Sequence, residues 1–343
     1  MSDDRLGVVV IGRNEGERLR ICLKSLAIPA TRVVYVDSGS TDGSTALARG
    51  MGVLVVDLDL TLPFTAARAR NAGMAHLVEA VPDLEWIQFV DGDCEVVPGW
   101  LDCARQAIAA DARLAVVCGR RRERYPGSSI YNRLCDLEWD TPVGPAGECG
   151  GDALMRVAAV HAVEGYDASL IAGEEPDLCL RLNRLGWKVL RIDAEMTIHD
   201  AAITRFSQWW KRGVRAGHAY AEGAARHGRG PERHRVREVR SNWFWGLGVP
   251  ALAFGLAPTT GGLSLGLLGS YGVLGARVYL RTRRRRGLSA PDSRLYALSC
   301  VVGKFPQALG QALYWSKRVM GRRARLIEYN SRNAGSAPLR VAP

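Results

Sequence analysis

Two carboxylates one residue apart, Asp91 and Asp93, follow the run Trp86–Val90 in the stretch EWIQFVDGDCEVVPGW. The run is aromatic and β-branched and of strand length, and DGD is its breaker, so the pair is expected at the carboxyl end of a strand. Carboxylates on a tight turn suit a hard divalent cation, Mg2+ or Mn2+, which keeps some waters and shares its other positions with substrate phosphates. Such triplets also arise by chance in loops, so the surrounding elements decide what this one is for.

Those elements alternate between strand-like and helix-like segments. LGVVVIG reads as a first strand and EGERLRICLKSL as an amphipathic helix with Leu19, Leu23 and Leu26 on one face. TRVVYVDSGSTDGSTALARGMG supplies a second strand, a Ser/Gly loop and a helix start, VLVVDL a third strand, FTAARARNAGMAHLVEA a helix, and EWIQFVDGD the fourth strand. This order predicts a parallel α/β sheet, which binds ligands at the carboxyl ends of its strands. Asp37, Asp91 and Asp93 would share that edge, although Asp37 and Asp42 can equally shape the Ser/Gly loop through side-chain to backbone bonds. In AGEEPDLCLRL, Pro176 is favoured at a first helical position, placing Glu175 at the cap and Asp177 in the first turn. The helix dipole would favour the ionised carboxylate there.

The motifs VVVIGRNEG, VDSGSTDGS, ARARNAG, FVDGDCEV and AGEEPDLCLRL, in this order over roughly residues 6–200, resemble the family 2 inverting glycosyltransferases, which use nucleotide-sugar donors on a GT-A fold. The resemblance implies an α/β fold with a mostly parallel sheet flanked by helices. It assigns Asn14, Glu15, Asp37, Arg70 and Asp91 to the donor, with Asp37 at the nucleobase, Arg70 near base and diphosphate, and Asp91 on the ribose. Asp93 would coordinate the Mg2+ or Mn2+, joined by His199 of MTIHDA. The family's acidic dyad is usually Glu-Asp; here it is Glu174-Glu175, so Glu175 takes the general-base role and Asp177 is the alternative. Asp152 of GECGGDALMR and Glu174 fall on the acceptor side, with a loop-shaping role equally open for Asp152. QWWKRGVRAG resembles a segment of membrane-associated relatives whose aromatic and basic residues lie beside the donor diphosphate or the membrane surface, and of the two Trp209, Trp210 and Arg212 are read as an interfacial anchor.

The charge distribution divides the chain. Residues 1–203 hold 21 Lys+Arg against 30 Asp+Glu, net −9, and residues 204–343 hold the remaining 25 against 5, net +20, together the +11 of the whole. Trp243–Ala276 contains no charged residue and exceeds the ~20 residues that cross a bilayer. Pro258 and TTGG break it midway, and arginines flank both ends, which favours a hairpin with both ends in the cytoplasm. RLYALSCVVGKFPQALGQALYWSKRVMGRR reads as interfacial. Nucleic acid is a weaker partner for so much arginine than anionic lipid, because the basic clusters abut apolar segments. Eight cysteines without a CxxC pair predict reduced thiols, and MSDDRLGVVVIG offers no leader pattern.

The resulting expectation is a catalytic domain at 1–203, a basic and aromatic connector at 204–242, and a membrane hairpin with interfacial helices and a basic tail at 243–343. The enzyme would sit on the cytoplasmic face of the inner or plasma membrane and use a lipid-linked or saccharide acceptor in exopolysaccharide or cell-envelope assembly. The rival readings are a metal-dependent nucleotidyltransferase or phosphohydrolase, and a non-catalytic, membrane-tethered nucleotide-sugar binder.

Overall fold

Helices and strands alternate through the first part of the computed structural model, which describes residues 5–321. Strand β1 (Leu6–Gly12) leads to α1 (Glu17–Ser25), β2 (Val33–Asp37), α2 (Ser44–Gly50), β3 (Leu54–Asp57), α3 (Ala66–Ala80) and β4 (Trp86–Asp91), each where the hydrophobic pattern places it. Next come β5 (Cys94–Val96), α4 (Trp100–Ala110), β6 (Leu114–Glu123), α5 (Ile130–Trp139), β7 (Gly144–Pro145), β8 (Ala153–Arg156), α6 (Val157–Ala162), α7 (Glu174–Arg184) and β9 (Lys188–His199). The rest is helical: α8 (Phe206–His227), α9 (Val236–Trp243), a π-helical turn (Phe244–Gly248), α10 (Val249–Gly255), a 3-10 segment (Leu263–Gly269), α11 (Ser270–Arg285), α12 (Ala290–Val302) and α13 (Lys304–Val319).

The strands form one sheet in the order β3-β2-β1-β4-β8-β6-β9-β5, with β7 beside β9. β1 to β4 are mutually parallel, and β6 is parallel to β9. β8 runs antiparallel to β4 and β6, and β5 and β7 run antiparallel to β9. Six strands, β1 to β4, β6 and β9, therefore run one way and the short β5, β7 and β8 the other, a mostly parallel sheet with antiparallel insertions. The chain enters β8 at the edge where β4 ends, pairing Ala153 with Phe89 and Arg156 with Trp86, so β8 can only run back down the sheet.

Register brings the chemistry to one edge: Gly12 pairs with Asp37, Asp37 with Asp57, and Ile11 with Asp91. Val8, Val9, Val10, Val34, Tyr35, Val36 and Phe89 are fully buried in the core beneath. α3 lies so close to the sheet that a Cβ on Gly73 would stand 2.4 Å from Val9 Cγ1 and 2.8 Å from Val36 Cγ2. Only glycine fits there, which explains one residue of the ARARNAG motif and fixes the height of Arg70 above the sheet edge.

The C-terminal helices form two packings of different kind. α13 crosses α8 with almost no gap: a Cβ on Gly217 would lie 2.0 Å from the Gln307 carbonyl oxygen, and one on Gly310 2.0 Å from that of Val214. α10 packs against the 3-10 segment that continues into α11, so the chain doubles back between Leu256 and Gly262 as a hairpin. Leu263, Val273, Phe254 and Leu252 are all exposed on it, as is Phe244 in the π-helical turn before it. The piece expected to be interfacial divides into α12 and α13; α13 buries Pro306, Ala308, Gly310, Gln311 and Tyr314 while Leu309, Leu313, Trp315 and Val319 remain exposed. Part of the expected basic tail, residues 322–343, lies outside the described residues. All eight cysteines are free thiols.

Candidate active site

A cavity of about 530 Å³ opens at the carboxyl edge of the sheet. Asp91 and Asp93 line it from the strand ends, Glu174, Glu175 and Asp177 from the start of α7, and Arg212, Arg215, Ala219 and Tyr220 from α8, which roofs it.

Around Asp91 the charges are almost all matched. Arg70, 3% exposed, donates from Nη1 to Glu174 Oε1 at 2.8 Å and from Nη2 to Asp91 Oδ1 at 2.8 Å. Arg121 donates to Asp91 Oδ2 at 3.2 Å and pairs with Asp152 Oδ2 at 2.8 Å, with its guanidinium over the Trp139 ring. A buried guanidinium held by two carboxylates tolerates loss of a partner poorly, at a cost of about 3–5 kcal/mol, so these two arginines hold the DGD turn in one geometry.

Asp152 departs from its expected acceptor role. It is fully buried, and its Oδ1 accepts from the Asp91 backbone N–H at 3.0 Å and its Oδ2 from Thr197 Oγ1 at 2.6 Å. A side chain with no exposed surface cannot meet an acceptor; it positions Asp91 instead. Asp37 likewise turns inward, accepting from Tyr35 Oη at 2.9 Å and from the Gly39 and Ser40 N–H groups at 2.9 and 2.7 Å, so it shapes the Ser/Gly loop while neighbouring Ser38 lines the cavity. Asn14, at φ 57°, accepts from Thr41 N–H and donates its own N–H to Ser40 Oγ, pinning the first loop to the second. Glu15 does reach the cavity, 2.5 Å from Arg18, and burial followed by the nearby Asp93 charge pushes its carboxyl up to about 7.

Pairing of β5 with β9 sets Cys94 opposite His199, which brings His199 Nε2 to 3.2 Å from Asp93 Oδ2. Burial opposes ionisation of both, but their mutual attraction outweighs it: the Asp93 carboxyl is held well below its usual range and the His199 imidazole is raised.

Helix α7 begins two residues before the position Pro176 suggests. Gly173, left-handed at φ 82°, is the cap, and Glu174 is the first helical residue. Pro176 then occupies the third position, where the missing N–H has no intrahelical acceptor to lose. The shift turns Glu174 back to Arg70 and leaves Glu175 on the cavity wall, without an ion pair among the described residues. Burial, then the Glu174 charge, pushes the Glu175 carboxyl up to about 7. The ionised form that the helix dipole favours is thus opposed by desolvation, and desolvation wins. Asp177 has no spare oxygen, since Oδ2 accepts from Arg181 Nε at 2.8 Å and Oδ1 lies 2.7 Å from His227 Nε2.

Residues 7–144 match the model of the family described as glycosyl transferase family 2. The chain carries a family 2 glycosyltransferase domain. It is 27% identical over 239 residues to the succinoglycan biosynthesis protein ExoA of Rhizobium meliloti, covering 62% of this chain and 69% of the relative. It is 26% identical over 236 residues to the pre-mycofactocin glycosyltransferase of Mycobacterium tuberculosis, covering 64% of this chain and 47% of the relative, so the match spans about half of that protein. The fold resembles that of a mannosyltransferase from Pyrobaculum calidifontis solved with GDP-Man and Mn2+, with a TM-score of 0.59 and 18% identity over 91% of this chain and 88% of that one.

For a divalent cation this glycosyltransferase offers Asp93 and His199, whose ligand atoms lie with the Cys94 thiol within 4.8 Å of one another. The buried His199 Nδ1 has no hydrogen-bond partner among the described residues, and the carboxylate oxygens suit Mg2+ or Mn2+, so the donor set fits. Trp209, expected as an interfacial anchor, is 8% exposed and packs with Leu134, Cys135, Ala201 and Ile203, while Trp210 is partly buried against the same cluster. An indole inside that cluster has no lipid-facing surface to offer. Arg212 faces the cavity and pairs with Glu138 at 2.6 Å. Arg121, Arg215 and Tyr220 also line the cavity, and no motif singled them out. In GRRRER, Arg120 pairs with Asp140 and Arg122 with Asp136 and Glu195, outside the cavity; strand alternation could have singled out the middle arginine.

Proposed function

We propose that this glycosyltransferase moves a sugar, with inversion, from a nucleoside-diphosphate donor to a hydroxyl of a lipid-linked saccharide in polysaccharide or cell-envelope assembly. One observation carries the reading: Glu175, with its carboxyl near 7 and no ion pair among the described residues, shares a cavity with the Asp93–His199 pair. A carboxyl poised near working pH can accept the acceptor hydroxyl's proton as that oxygen attacks the anomeric carbon. Arg70 and Arg121 hold Asp91 for the donor, and Arg212 and Arg215 present positive charge from the roof. A Mg2+ or Mn2+ ion held by Asp93 and His199 would neutralise charge on the departing diphosphate. The Mn2+ and GDP-Man in the Pyrobaculum calidifontis structure and the succinoglycan pathway named for the Rhizobium relative support this reading.

Residues 1–203 together with α8 form the catalytic unit in this proposal, the remainder of 204–242 connects it, and 243–343 attaches it to the cytoplasmic face of the inner or plasma membrane, with anionic lipid as partner. The segment Leu263–Arg285 is by length and composition apolar enough to cross a membrane, and only 6% of its most apolar window is buried. The test incubates the full chain in membranes with a panel of nucleotide sugars and scores nucleoside-diphosphate release. Release by wild type with loss in Glu175→Gln supports the transfer. Release of pyrophosphate or inorganic phosphate instead would move the reaction to another class.

A further inference from the structure

Helix α11 changes character along its length. Its first half and the preceding 3-10 segment expose Leu263, Leu265, Leu267 and Val273. Its second half carries Arg277, Arg281, Arg284 and Arg285, which at spacings of four, seven and eight residues fall on one helical face. These four, with Leu280, surround a shallow depression of about 380 Å³. All four are exposed, and none forms an ion pair with a described residue. Their neighbours behave differently. Arg286 donates to the Leu137 and Asp140 carbonyls and lies over Tyr296, and Arg283 donates to the Leu288 carbonyl at 2.6 Å.

No Asp or Glu occurs from 243 to 291, and Asp292 is already held by Arg133 at 2.7 Å. Like charges four residues apart on a helix repel, so this face is built for anions from outside the fold. Its height names their source. From the tip at Gly262 to Arg277 the 3-10 segment and the first half of α11 span about 25 Å, short of the ~30 Å hydrocarbon core. If the hairpin enters tip first, the arginines stop at the level of the phosphates on the entry side, the side of the catalytic half. Arg237 and Arg240, exposed on α9, stand at the base of the other arm.

We propose that Arg277, Arg281, Arg284 and Arg285 form a binding face for the phosphate groups of anionic phospholipids in the leaflet that the hairpin enters. This rests on the membrane attachment proposed above and adds its chemistry: the apolar arms supply insertion, and the four guanidiniums supply selectivity for negatively charged headgroups.

The experiment measures partition of the full-length protein into vesicles of phosphatidylcholine alone or with about one third phosphatidylglycerol. Wild type should prefer the anionic vesicles by roughly 100-fold or more, less at high salt, and replacing all four arginines with glutamine should abolish the preference while binding to neutral vesicles persists. The four-lysine variant keeps the charges and should restore the preference. A preference that survives in the glutamine variant, or that lysine fails to restore, overturns the proposal. So does equal affinity for double-stranded DNA in the absence of vesicles, or binding that follows a polyprenyl diphosphate doped into neutral vesicles and ignores phosphatidylglycerol. Nucleoside-diphosphate release is read on the same samples. A glutamine variant that loses the lipid preference but keeps release supports the face independently, whereas absence of release from wild type strikes the transfer reading and leaves the lipid result standing.

Discussion

In β1, β2 and β4 the side chains of Val9, Val34 and Phe89 are fully buried, whereas in the α10–α11 hairpin Leu263, Val273 and Phe254 are 85%, 70% and 62% exposed, although both stretches are apolar. The strands are covered by helices such as α3, which touches β1 and β2. The hairpin arms meet the 3-10 segment between them and α12 beside them, and their outer faces meet nothing among the described residues. Burial therefore follows from what lies next to an apolar segment, and flanking charge is the better guide: acids follow the strands, arginines follow the hairpin. The two regions also divide the work, since titratable groups with large shifts gather at the strand edge and lipid-compatible surface gathers on the hairpin. If that division is real, substitutions in one region should leave the other's property untouched.

The largest separation is expected from Asp93→Ala. Loss of the carboxylate that pairs with His199 removes the principal candidate ligand, worth several kcal/mol of charge stabilisation, so nucleoside-diphosphate release should fall roughly 1000-fold or more. Vesicle partition should not change. Retained release would show that the DGD turn is structural.

Glu175 sharpens the same half through pH. A carboxyl raised to about 7 is protonated below that value and cannot accept a proton, so kcat/KM should rise tenfold per pH unit up to about 7 and then level. Its native proton affinity exceeds the unfolded value, so stability from this group is full below about 4.5 and falls as pH rises toward 7. Glu175→Gln should therefore melt no lower than wild type at pH 8 while losing the acid limb. A limb unchanged by the substitution passes the base role to another group.

On the hairpin, Phe254→Asp should weaken partition into neutral vesicles by about 100-fold, the scale of placing a carboxylate among lipid tails. Turnover of a water-soluble acceptor should persist. Equal partition would mean that the exposed arm faces protein.

How much of this division the sequence disclosed depends on range. β1 to β4 and the acid-bearing edge were readable because period, breaker and carboxylate lie within a few residues of one another. His199 was placed beside Asp93 by the family resemblance and not by local spacing, because it arrives only through β5–β9 pairing, and the hold of Asp152 on Asp91, made through insertion of β8, was not readable. The start of α7 turned on one left-handed glycine, against a proline preference that points two residues later. The deepest miss was α8. Its tryptophans and arginines suit a membrane surface as well as a cavity roof, and only the apposition of α5 and α13 distinguishes them. The spacing of Gly213 and Gly217 carried a helix-packing signal that charge and aromatic content overshadowed.

α8 is also where the comparison is easiest to break, because it belongs to both regions. One face carries Arg212, Arg215 and Tyr220 into the cavity, and the other receives Pro306, Gln307 and Gly310 of α13. A methyl on Gly217 would stand 2.0 Å from the Gln307 carbonyl oxygen and 2.6 Å from its carbon, and backbone atoms cannot swing aside as a side chain can. Gly217→Ala must therefore push the two helices apart, at about 1–3 kcal/mol of stability. That displacement would carry the arginines of the roof with it. A shift of a fraction of an ångström in charges that face the substrate should lower kcat/KM about tenfold, since a full ångström can cost 10²-fold. A lowered melting temperature together with slowed diphosphate release would show that attachment and catalysis share this helix. A lowered melting temperature with unchanged release would show the roof to be independent of α13, and the two regions would then be as separate as their charges suggest.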